Sequence, residues 1–204
     1  MQFHTMSNSY KSFLDVIFEH FTSCFFSCHT LTSLDLFVGH KNCNQTLFPN
    51  SLNLPALTNL SIKNFAFCVG DNGCAEPFSE FKKLNSLIID RCTALDAENL
   101  HISSVTLANL TIITPRVVAR NYRKIELSTT SLHSFVFIGI PYQKLAGSHL
   151  CSVKHLNIYP NVPWNYADLD WKHANLLVFL SWLLELVDLK SFTISSTTLQ
   201  VYFS

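Results

Sequence analysis

Glycine, charge and long apolar runs are all scarce in this chain. Gly occurs 5 times in 204 residues, which excludes collagen-type repeats, flexible Gly-rich linkers and Gly-rich phosphate loops. Charged residues make 14%, and 14 Lys+Arg balance 14 Asp+Glu to a net charge of +0. A neutral chain projects no basic field toward nucleic acid and carries no acidic tail, so no nucleic-acid partner is expected. The longest apolar stretch, Leu176 to Leu184, contains Ser181. A membrane span needs about 20 apolar residues, so this run predicts a buried helix and no membrane partner. No secretory leader is visible, because Lys11, Asp15 and Glu19 interrupt the apolar runs near the N-terminus.

Catalytic signatures are missing as well. There is no G-x-x-x-x-G-K-[ST], H-E-x-x-H, G-x-S-x-G or EF-hand loop. The expectation is a protein that is not an enzyme and needs no cofactor. The cysteines Cys24, Cys28, Cys43, Cys68, Cys74, Cys92 and Cys151 are odd in number and lack framework spacing. They read as free thiols in a reducing compartment, hence an intracellular protein, cytoplasmic or nuclear. Sequons at Asn44, Asn59 and Asn109 are then chance matches.

What the chain has is apolar mass, 48% hydrophobic residues with Phe 17, arranged in a repeat. The template apolar-x-x-apolar-x-apolar recurs as Leu31, Leu34, Leu36; Leu57, Leu60, Ile62; Leu84, Leu87, Ile89; Leu107, Leu110, Ile112; Leu132, Phe135, Phe137; Val153, Leu156, Ile158; and Leu189, Phe192, Ile194. Successive starts are 26, 27, 23, 25, 21 and 36 residues apart. Five of these six gaps fall in the 20–29 range of leucine-rich repeats. Alternation within the triad puts two apolar side chains on one strand face. One such strand cannot bury that face alone, whereas stacked parallel neighbours share a continuous core. Each buried Leu or Ile then contributes roughly 1.5–3 kcal/mol. The predicted fold class is α/β: a leucine-rich-repeat solenoid of about seven repeats over 24–204, with parallel strands on the concave face and an irregular outer side of short strands and a few helices.

The outer side has its own signals. Leu100-x-Ile102 and Ile125-x-Leu127 each lie seven residues before the next triad, which predicts short returning strands. In the 36-residue gap, Leu176, Leu177, Leu180, Leu183, Leu184 and Val187 fall at helical spacing. Phe13, Leu14, Ile17, Phe18 and Phe21 form a similar stripe, so 1–23 is expected to be a helical segment capping the first coil. Pro49, Pro55, Pro115, Pro141 and Pro163 punctuate the connections, and Asp71-Asn72-Gly73 reads as a turn. The ninth repeat position, often Asn or Cys in such arrays, holds Cys92 and Asn161 but Gly39, Phe65, Pro115, Ile140 and Thr197 elsewhere, so the array is irregular. Leu199-x-Val201 resembles an outer return with nothing polar after it. Solenoids carry polar caps, so the array is expected to be truncated at its C-terminus.

Three clusters invite chemistry. Cys24, Cys28 and His29, with His40 and Cys43, have the composition of a zinc set. Cys28 and His29 lead directly into the first repeat, where a small thiol is ordinary packing, so no metal is expected. Arg116, Arg120, Arg123 and Lys124 read as a solvated edge. Trp164, Tyr166, Asp168, Asp170, Trp171 and His173 read as an aromatic loop packed over the last coils, with a binding loop as the alternative.

In a solenoid, the residues between the buried ones face the concave surface. They are Asp35, Phe37, Ser61, Lys63, Ile88, Asp90, Thr111, Ile113, Val136, Ile138, Asn157, Tyr159, Thr193 and Ser195. Aromatic and branched side chains with few charges suit protein recognition.

The wording of the repeats resembles the leucine-rich region of plant, legume-type F-box/LRR-repeat proteins. The segments that carry it are FSCHTLTSLDL (26–36), SLNLPALTNLSIKNFAF (51–67), FKKLNSLIIDRC (81–92), KIELSTTSLHSFVFIG (124–139), SVKHLNIY (152–159) and LVDLKSFTISSTTLQV (186–201). The resemblance implies the substrate-recognition part of an SCF-type ubiquitin-ligase subunit that holds an unknown protein substrate near enzymes supplied by partners. Residues 1–23 contain no F-box sequence with its Leu-Pro-x-Asp/Glu-like start. The chain therefore reads as a fragment or truncated paralogue, with a Skp1-type adaptor as partner only if an F-box is present in the full-length product. The alternative is a stand-alone module that binds protein without a role in ubiquitination.

Overall fold

A computed structural model describes residues 28–39, 46–49, 52–70, 73–95, 98–114, 122–139, 141–159 and 169–195, with backbone alone for 169–175. In chain order the strands are β1 (Ser33–Phe37), β2 (Asn59–Lys63), β3 (Ala66–Cys68), β4 (Cys74–Ala75), β5 (Ser86–Asp90), β6 (Thr93–Leu95), β7 (Asn99–Ser103), β8 (Asn109–Ile113), β9 (Lys124–Ser128), β10 (Ser134–Ile138), β11 (Lys144–Gly147) and β12 (His155–Tyr159). Helix α1 (Leu169–Glu185) and strand β13 (Ser191–Ile194) follow.

The second and third members of every triad lie in one parallel sheet, ordered β1-β2-β5-β8-β10-β12-β13, and the first member stands two residues ahead of its strand. A second parallel sheet, β11-β9-β7-β4, runs along the other side, and β3 pairs with β6 between them. The molecule is thus a parallel-strand solenoid with few helices. Four coils carry a strand on both sides: β2 to β4, β5 to β7, β8 to β9 and β10 to β11. The returning strands expected at Leu100–Ile102 and Ile125–Leu127 are β7 and β9. The outer strands β4 and β11 have no matching alternation in the sequence.

The register is in phase. Leu34, Leu60, Leu87, Leu110, Phe135, Leu156 and Phe192 occupy one rank, and Leu36, Ile62, Ile89, Ile112, Phe137, Ile158 and Ile194 the next. A one-residue slip would turn every one of these side chains outward. Upstream of each strand, one carbonyl accepts two N–H groups of the next coil: Thr32 from Thr58 and Asn59, Thr58 from Asn85 and Ser86, and so on to Lys154 from Lys190 and Ser191. Downstream the ladder runs on through Asn64, Arg91, Thr114 and Gly139, each N–H donating to the following coil.

The turns after β2, β5 and β10 are tight. Asn64 and Arg91 have φ of 61° and 51°, and Gly139 has 148°. Asn64 is buried, and its Nδ2 donates to the Val38 carbonyl at 2.7 Å. The polar turn residue therefore sits one position earlier than the repeat consensus suggests. A Cβ on Gly139 would collide with the Thr114 hydroxyl. Cys92, at the consensus position, is packed in the core, where burial pushes its thiol from 9.0 up to about 12. The Tyr122 phenol is raised well above its usual range by burial too.

Aromatic clusters fill the wider parts of the core. Phe48 meets Phe65, Phe67 and Phe78 with ring centroids 5.8, 6.0 and 5.9 Å away. The predicted helix is present as α1, but of its expected stripe only Leu176 and Leu183 pack against the core. Leu177, Leu180, Leu184 and Val187 are exposed, whereas Phe179, Trp182 and Leu186 are buried. The reason is aromatic area. Trp182 stacks on Phe135 at 5.8 Å, meets Phe137 edge-on at 4.9 Å, and donates its Nε1–H to the Gln143 carbonyl at 2.8 Å. Asp170, Trp171 and His173 lie in this helix, which corrects their assignment to a loop. The expected cap at 1–23, the outer return at 199–201, Cys24, His40, Cys43, Asp71, Asn72, Arg116, Arg120, Asn161, Trp164, Tyr166 and Asp168 lie outside the described residues. No helix among the described residues is long and apolar enough to cross a membrane.

Candidate functional site: the outward face of the seven-stranded sheet

With the Leu ranks turned inward, the alternate residues of the same strands form registered rows on the outward face. The central row is Asp35, Ser61, Ile88, Thr111, Val136, Asn157 and Thr193. The downstream row is Phe37, Lys63, Asp90, Ile113, Ile138 and Tyr159. Ser195 follows β13, and its N–H donates to the Ile158 carbonyl at 3.3 Å, which sets it beside Tyr159. All fourteen residues singled out from the repeat therefore share one face.

A third row belongs to the same face. Ser33, Asn59, Ser86, Asn109, Ser134, His155 and Ser191 are in register along its upstream edge. The signal was the alternation itself, extended two residues toward the N-terminus of each strand. Every member is polar and none is a carboxylate. The face thus grades from hydroxyl, amide and imidazole groups upstream to a downstream row in which Phe37, Ile113, Ile138 and Tyr159 accompany the Lys63–Asp90 pair.

The downstream row begins with a short electrostatic chain. Lys63 Nζ lies 5.1 Å from the Phe37 ring centroid and 3.3 Å from Asp90 Oδ2. Arg91 holds the same carboxylate with Nε at 2.9 Å and Nη2 at 3.3 Å. These half-buried pairs hold Lys63 and Asp90 in a fixed orientation on the face. Beyond them Ile113, Val136 and Ile138 are half-buried, and Tyr159 is exposed at 41%. Apolar groups that stay accessible on a rigid sheet offer contact area at little ordering cost.

The upstream edge carries an open depression of about 660 Å³ lined by Thr58, Asn59, Asn85, Thr106 and Ser131 among others. Farther along that edge the His133 and His155 rings meet at 4.7 Å, and His155 Nδ1 is 2.6 Å from Ser191 Oγ. No carboxylate among the described residues reaches the other nitrogen of His155, so this pair lacks the third group that would orient a base. Among the described residues no three His, Cys, Asp or Glu side chains are placed to hold a metal ion. Of the zinc set only Cys28 and His29 are described, and the Cys28 thiol lies 3.6 Å from the Thr30 hydroxyl.

Comparison with known proteins finds no matching family model, no matching curated protein and no matching solved structure.

Proposed function

We propose that the outward face of the seven-stranded sheet binds a protein, and that the chain is a leucine-rich-repeat solenoid acting inside the cell as the substrate-recognition part of an F-box/LRR-type ubiquitin-ligase subunit. The observation that carries the binding role is the registered face: three rows of side chains, polar along one edge and mixed apolar, aromatic and charged along the other, held by one continuous parallel ladder. The ligase context rests on the family-like wording of the repeats. A stand-alone binding module is the second reading, because the registered face supports binding to a protein and says nothing of ubiquitination.

Affinity capture with the full chain, compared with face variants, separates these readings. Ile88→Asp and Ile138→Asp place charge in the middle of the face and should abolish partner capture. Lys144→Glu on the outer sheet should leave it intact. Recovery of a Skp1-type adaptor and cullin with the same polypeptide supports the ligase reading. A partner recovered without them supports the stand-alone module. Equal capture by all three variants overturns the assignment of the face.

A further inference from the structure

The outer sheet brings together three residues that are far apart in sequence. Glu76 follows β4, His101 lies on β7 and Ser128 ends β9, and these strands are consecutive in the outer sheet. Their separations of 25 and 27 residues match the coil length, so the solenoid itself lines them up. Glu76 Oε1 lies 3.3 Å from His101 Nδ1, and Ser128 Oγ lies 2.9 Å from His101 Nε2.

This is the connectivity of an activated serine. An ionised carboxylate only accepts hydrogen bonds, so it takes the Nδ1–H and fixes the tautomer. Nε2 is then left with its lone pair toward the Ser128 O–H, as a general base must be. His101 and Glu76 side chains are 24% and 32% exposed, and Ser128 is half-buried, so the three side chains lie at the surface of the outer sheet. Ser103 is the built-in comparator. It is the register partner of Ser128 on β7 and equally half-buried, with no histidine contact among the described residues.

We propose that Glu76, His101 and Ser128 form an acyl-transfer site for small activated esters, with Ser128 as nucleophile, His101 as general base and Glu76 as the positioning residue. Ser128 Oγ bonds to the ester carbonyl carbon while its proton passes to His101 Nε2. The carbon–oxygen bond to the leaving group then breaks, and the departing alcohol or phenol takes that proton. Water gives a proton to the same imidazole and bonds to the acyl carbon; the bond from that carbon to Ser128 Oγ breaks, Oγ takes the proton from His101 Nε2, and the acid is released. The net reaction is ester plus water to acid plus alcohol.

The test is the full chain with p-nitrophenyl acetate, reading p-nitrophenolate release and the acetylated serine by peptide mass mapping. General-base assistance contributes typically 10²–10⁴-fold, so Ser128 should acetylate about 100-fold faster than Ser103. Ser128→Ala and His101→Gln should remove that excess with an unchanged circular dichroism spectrum, and Ser128→Cys should restore a labelled nucleophile. Glu76→Gln should slow acetylation of Ser128 and Glu76→Asp should restore part of that rate, with Ser103 acetylation the same in both, which a purely structural contact would not do. Equal acetylation of Ser128 and Ser103, or a Ser128 rate unaffected by His101→Gln, overturns the proposal.

Discussion

The middle and the ends of the seven-stranded sheet carry the same triad and bury it very differently. In β2, β5, β8, β10 and β12 the inward residues are 0–2% exposed. In β1 Leu34 and Leu36 are only half-buried, and in β13 Phe192 is 41% exposed. Nothing in the wording of the repeats separates these cases. The motif supplies an apolar face, and a neighbour on each side supplies the burial. The upstream hydrogen-bond pattern is the same from the first junction to the last, so backbone geometry is uniform while packing energy is not.

The sharpest way to break this comparison is to truncate an aromatic in each region. Phe137→Ala removes a fully buried ring beneath Trp182 and should cost about 3–5 kcal/mol in denaturant unfolding. Phe192→Ala at the exposed end should cost under about 1.5 kcal/mol. Equal losses would mean that the ends are as well packed as the middle.

Alkaline titration probes the middle alone. A thiol that stays neutral when buried stabilises the fold fully below 9.0, and that contribution is lost as pH climbs toward about 12, because the unfolded thiol ionises first. The separation amounts to about 4 kcal/mol at its limit. The melting temperature should fall steadily above pH 9, and Cys92→Ala should flatten the first part of that decline. A wild-type curve no steeper than that of the variant would contradict the burial of Cys92.

Gly139→Ala forces a side chain into a positive-φ turn against Thr114 and should cost about 2–3 kcal/mol, read by thermal unfolding. Gln143 sharpens the comparison in the other direction. Its side-chain amide is buried with neither Oε1 nor Nε2 hydrogen-bonded. Gln143→Leu keeps the backbone carbonyl that receives Trp182 and should stabilise by about 1–2 kcal/mol. The smallest effect is expected at the end helix, where Leu184→Glu on a 78% exposed position should change stability by less than about 0.5 kcal/mol.

The spine of this fold was legible because Leu-x-x-Leu-x-Leu encodes strand alternation and coil length together. Two outer strands, β7 and β9, were legible for the same reason. β4 and β11 were not. Cys74–Ala75 is too short to alternate, and Lys144–Gly147 offers one buried apolar residue, so both depend on a neighbouring strand for their ladder. The helix was legible from its period but not its orientation, because ring stacking on Phe135 and Phe137 outweighed a longer leucine stripe. The central and downstream rows of the candidate face followed from alternation. The polar upstream row obeys the same alternation, but Ser and Asn ahead of a strand look like turn residues in sequence. Glu76, His101 and Ser128 belong to three separate coils, and only the stacking of those coils reveals their contact.

The most direct measurement is a pair of spin labels on the outward face at Asp35 and Thr193, introduced as unnatural amino acids and read by pulsed dipolar spectroscopy. Six strand spacings of about 4.8 Å place the two labels about 29 Å apart in a single narrow distribution. A maximum below about 15 Å, or a broad distribution without one, would contradict a seven-strand parallel ladder.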